Sequence, residues 1–105
     1  MENQHRKITG YRELSAEEID LMNRIKAKGA EMLELHRDLY RLLATQEADL
    51  YDQLDKANTS DSANSIRSEL IRRNDAEPMR WAAIGKTDIQ TGIMALVRAV
   101  AQPAV

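Results

Sequence analysis

Between residues 15 and 57 the large apolar side chains recur in two near-heptad rows. Ile19, Met22, Leu33, Leu43, Leu50 and Leu54 make one row; Leu21, Ile25, Met32, Leu35, Leu39 and Leu42 make an adjoining one. Such spacing lines up along the side of a helix. No proline interrupts before Pro78, and Gly29 is the only glycine within the stretch. The pattern predicts one helix over 15–57, on the order of 60 Å long at 1.5 Å per residue. Its start carries a capping box, Ser15-Ala16-Glu17-Glu18. The serine oxygen takes an amide of the first turn, and the glutamate reaches back to the amide of the serine. Two apolar rows are more than one partner helix can cover.

The run 58–64 is small and polar, the composition of turns and helix caps. The chain is expected to reverse there and continue as a second helix over 65–101, with Ile66, Leu70 and Ile71 inward. Arg67, Arg72, Arg73 and Arg80 give this helix a basic face, partly matched by Glu69, Asp75 and Glu77, which solvated ion pairs would explain. Pro78 lacks an amide and crowds the preceding turn, so it should kink or split the helix. Beyond it, Ile89, Ile93, Leu96, Val97 and Val100 form an apolar face. Ala82, Gly85, Gly92, Ala95 and Ala99 form a stripe of small residues interrupted by Asp88. A glycine inside a helix costs about 1 kcal/mol relative to alanine. Two of them seven apart imply close approach of another helix or of a ligand, and Asp88 cannot be buried there without a donor. The expected fold is all-α, a long antiparallel hairpin led by a polar arm over 1–14 and forming one domain, 1–105. A pair of helices has little core of its own. The exposed rows are best satisfied between chains, so a homo-oligomer is expected.

Composition narrows the function. The chain has 105 residues, no cysteine and no phenylalanine, and a formal charge of −2. Disulfides and thiolate metal sites are excluded, and no apolar run reaches the roughly 18 residues of a membrane helix. The balance is wrong for a non-specific DNA binder. His5 and His36 lie too far apart for a metal motif, and no nucleophile–base arrangement or phosphate-binding glycine loop is present. Neither an enzyme nor a cofactor is expected.

The residues that break the patterning are Tyr11, Lys26, Arg80, Trp81, Asp88 and Arg98. Tyr11 follows the turn at Gly10 and either pins the arm to the core or offers a ring for a base to stack on. Lys26 falls where the first row expects an apolar residue, four after Met22 and three before Gly29. It either snorkels to water or faces an enclosed anion, with Gly29 leaving space beside it. Rings and cations in this mixture suit an aromatic anion.

Over HRKITGYRELSAEEIDLMNRIKAKG (5–29) together with PMRWAAIGKTDIQTGIMALVRAVAQP (78–103), the chain resembles the phage anti-CBASS protein two family, which are cyclic-oligonucleotide sponges. Arg80-Trp81, Met94 and Arg98 also resemble the helical hairpin domain shared with a phage sponge that counters Thoeris defence. Residues 37–65 carry little of the likeness. The resemblance implies sequestration without catalysis, in the cytoplasm of an infected bacterial host. The ligands it implies are cyclic dinucleotides such as cyclic GMP-AMP and, in a separate pocket, cyclic trinucleotides; the assembly it implies is a homohexamer. DNA and membranes are not expected partners.

The resemblance places Tyr11 as the ring that stacks on a base and Lys26 as a ligand-contacting cation in the dinucleotide pocket. Two residues are added from this sequence itself: Met22 as an apolar wall and Arg98 as a cation from a neighbouring chain. A three-phosphate ring on a symmetry axis would want one cation per subunit; Arg72 and Arg80 are the candidates, with structural ion pairs as their other use. The competing readings are a helical adaptor for protein assembly, which would bind no nucleotide, and an enzyme that linearises the messenger.

Overall fold

The structure, a computed structural model, describes residues 12–104. All regular structure among them is helical: α1 Ala16–Lys56, α2 Ser60–Ala76 and α3 Pro78–Ala101. The capping box forms as the sequence predicts. Glu18 N–H donates to Ser15 Oγ at 3.1 Å, and Ser15 N–H donates to Glu18 Oε1 at 2.9 Å.

One boundary differs from expectation. The turn is shorter than 58–64, because Thr59 already caps α2 and accepts from Ser62 N–H at 3.1 Å. Residues that favour turns also favour N-caps, and here the cap comes first. At Pro78 the second helix breaks, the split being one of the two expected outcomes. Glu77 takes a left-handed conformation (φ 50°, ψ 53°), and its N–H turns back to the carbonyls of Arg73 and Asn74. A residue before proline is pushed out of the right-handed helix. Pro78 then opens α3 at the first helical position, where a missing amide does no harm; Trp81 N–H bonds Glu77 O at 3.2 Å.

The contacts sort into two compact units. One joins the described residues up to Leu33 with those from Thr87 onward; the other is Glu34–Lys86. In the first, α1 and α3 run antiparallel. Met22, Ile25 and Leu33 on α1 and Ile89, Ile93, Val97 and Val100 on α3 are half-buried, and Gly29 is buried. Leu96, expected on the inward face, stays exposed. In the second unit Ala82 is buried and Leu43, Leu50, Leu54, Ile66, Leu70 and Met79 are half-buried. Ile71, expected inward, is 63% exposed. Arg73 is no part of a solvated basic face. It is 9% exposed, and its guanidinium donates to Leu43 O at 2.5 Å and Gln46 Oε1 at 3.0 Å. It thereby ties α2 to α1. Leu21, Met32, Leu35, Leu39 and Leu42, the whole second α1 row apart from Ile25, are exposed.

Candidate functional site

Arg12, just before α1, reaches the end of α3. Its guanidinium donates to Ala101 O at 3.2 Å and Val100 O at 2.8 Å, and forms a two-pronged pair with the Glu18 carboxylate. The last carbonyls of a helix have no intrahelical partner and carry partial negative charge. A planar guanidinium can serve them and a carboxylate together. The Arg12 bond, helped by the Ser15 amide, lowers the Glu18 carboxyl from the usual 4.5 to about 2. Arg12 is a functional candidate that the pattern of apolar positions does not mark. Its signal was a cation just before a capping box, facing the end of an antiparallel helix.

Tyr11, next in sequence, lies outside the described residues. Lys26 is exposed and Met22 half-buried, one turn apart on α1. Lys26 does not interrupt the buried seam, which passes from Met22 through Ile25 to Gly29. The space foreseen beside Gly29 is filled: an added methyl there would lie 2.1 Å from Ile93 Cδ1 and 2.8 Å from Cγ1. Gly85 and Gly92 have nothing within 4 Å of an added Cβ, and Asp88 is exposed. Of the small stripe, only Ala82 is tightly packed within the chain.

A groove of about 440 Å3 runs along the α1–α3 seam of the first unit. Its lining includes Leu21, Ile25, Met32 and Leu96 together with Arg24, Lys28 and Asp88. Met22, Lys26 and Arg98 are not part of it. At 100° per residue, Met22 and Lys26 fall on the opposite side of the Gly29 seam. Arg98 is exposed in the last turn of α3.

Arg72 and Arg80 are both engaged. Arg72 donates to Glu69 at 2.9 and 2.5 Å, which raises the arginine pKa and lowers that of the glutamate. Arg80 pairs with Glu77 at 3.3 Å and lies 5.3 Å over the ring of Trp81. Arg80 and Arg73 line a polar hollow of about 350 Å3 from which Arg72 is absent. Among the described residues no cluster of His, Cys, Asp or Glu could hold a metal ion, and no helix is long and apolar enough to cross a membrane.

Residues 3–101 match the Acb2/Tad1 hairpin domain. Among similar proteins is the Anti-CBASS protein 2 of Pseudomonas phage JBD67, 56% identical over 108 residues, an alignment that covers 98% of this chain and 97% of that protein.

Proposed function

Because the chain belongs to the Acb2/Tad1 hairpin-domain family, we propose that it is a phage anti-CBASS protein that binds cyclic dinucleotide messengers, and cyclic trinucleotides in a separate pocket, and withholds them without hydrolysis. The observation that carries this reading is the relative named Anti-CBASS protein 2, alike over nearly the whole of both chains. On this reading Tyr11 stacks on a base and Lys26 meets the anion. Arg12 joins them as a positioning residue. Bonded to α3 carbonyls and to Glu18, it holds the backbone next to Tyr11. On the same reading Met22 gives an apolar wall and Arg98 comes from a neighbouring copy, in a homohexamer. Exposed Leu35, Leu39 and Leu42 supply apolar surface for that assembly. The protein acts in the cytoplasm of the infected host.

Calorimetry with cyclic GMP-AMP tests the reading. Tight, reversible binding is expected, with the messenger recovered intact after denaturation. Tyr11→Ala and Lys26→Ala should each weaken it at least tenfold with the assembly unchanged in light scattering. Undiminished affinity in both variants overturns the site, and linear products overturn sequestration. Arg72→Ala and Arg80→Ala, titrated with a cyclic trinucleotide, test the second pocket. The same exposed leucines favour the adaptor reading, which predicts no nucleotide binding and a stoichiometric protein partner in a pull-down.

A further inference from the structure

The second unit has a groove of its own, about 430 Å3, between α1 and α3. Arg37, Arg41 and Lys86 bring three cations to its wall, and Tyr40, Met79 and Ala83 supply ring and apolar surface. Arg37 and Arg41 are one helical turn apart on the same face, and Lys86 comes from the other helix. Among the described residues, the one carboxylate bonded to any of them is Asp38, 3.5 Å from Arg41. Arg37 and Lys86 have no ion pair among the described residues. His36, which also lines the groove, bonds Ala82 O through Nε2 at 2.9 Å. A carbonyl only accepts, so Nε2 carries the proton. That bond fixes the two helices that form the walls. The His36 ring lies 6.5 Å from that of Tyr40 at 34°, and the Tyr40 face is exposed.

Like-charged side chains converging on a groove without matching carboxylates are best offset by an anion, and the volume is that of a small-molecule site. A ring beside the cations selects an anion that carries a planar group. A terminal diphosphate offers several charges to cations arriving from two helices. We propose that this groove is a separate site for a linear nucleoside diphosphate, with the base on Tyr40 and the phosphates among Arg37, Arg41 and Lys86. The proposal does not rest on the messenger-binding reading: Tyr11, Met22, Lys26, Arg72, Arg80 and Arg98, the residues used there, are not in the lining of this groove.

The test is calorimetry of the full chain with ADP and, separately, inorganic pyrophosphate. Micromolar ADP binding is expected, weakened at least tenfold by Arg37→Ala and by Lys86→Ala. Tyr40→Leu should weaken ADP at least fivefold and leave pyrophosphate unchanged. Lys26→Ala and saturating cyclic GMP-AMP should leave the ADP affinity as it was. All the substituted side chains are exposed, and unchanged helical circular dichroism will verify the fold of each variant. No ADP binding at millimolar concentration overturns the proposal. So does binding that survives both Arg37→Ala and Lys86→Ala, or that is displaced by cyclic GMP-AMP. Failure to bind cyclic GMP-AMP sinks only the messenger reading.

Discussion

At Gly29 a single hydrogen atom in place of a methyl decides how closely α1 and α3 pack. Gly29→Ala would gain helix propensity of about 1 kcal/mol. It would also force the Ile93 side chain aside, and overpacking of this kind costs roughly 1–3 kcal/mol. We expect a net loss of about 1 kcal/mol in urea unfolding. Ile93→Ala should be less damaging in the Gly29→Ala background than in the native chain, since it vacates the contested volume. Equal effects of Ile93→Ala in both backgrounds would contradict the contact. Glu18 makes a pH prediction. Its folded pKa of about 2 lies below the ordinary 4.5, so its contribution is present above pH 4.5 and is lost as the pH falls toward 2. The urea midpoint should therefore drop across that window, and drop less in Glu18→Gln. A third expectation concerns Arg73. Arg73→Met removes two bonds from a charged donor and should destabilise by about 2 kcal/mol, and Arg73→Lys should recover only part of it, since an ammonium lacks the planar fork. None of this was legible in the sequence beyond the capping box. The partners of Arg73 lie 27 and 30 residues away, and Gly29 meets Ile93 only once the helices are in register.

At the scale of elements, local signals are legible in the sequence and the competition between them is not. The start of α1, its uninterrupted course and the break at Pro78 follow from capping chemistry, periodicity and the missing proline amide. The start of α2 was placed late because the small polar residues of 58–64 serve both turn and cap, and only the backbone at Thr59 chooses between them. Lys26 looked like a row breaker because the seam shifts by one residue to Ile25, which periodicity alone does not reveal. Both ends of α3 use one device. Glu77 (φ 50°) precedes Pro78, and Gln102 (φ 51°) precedes Pro103. A side chain in the left-handed region costs roughly 1–2 kcal/mol, while glycine there costs little sterically. Glu77→Gly should stabilise the chain by up to about 1 kcal/mol in thermal unfolding, because the exposed Glu77–Arg80 pair that it removes is worth little. Destabilisation would mean that the pair, or the stacking of Arg80 on Trp81, matters more than its exposure implies.

For the whole molecule, apolar surface outruns the chain's capacity to bury it. Ala82 is the one buried hydrophobic residue among those described, and Leu35, Leu42, Ile71, Met94 and Trp81 are more than half exposed. Burial of apolar area is the main driving force of folding, at about 25 cal/mol per Å2. We therefore expect helical circular dichroism and molar mass to fall together on dilution; a helical monomer that persists at nanomolar concentration would refute dependence on association. The Arg12 latch has a further practical result. Its acceptors are main-chain oxygens of residues 100 and 101, so it is indifferent to the side chains there but not to the length of the chain. A protein cut after Ala101 keeps both acceptors, whereas one cut after Ala99 has none, although every residue assigned to the messenger is still present. If only the shorter product releases cyclic GMP-AMP, the tail acts at a distance, as an anchor for the opposite terminus.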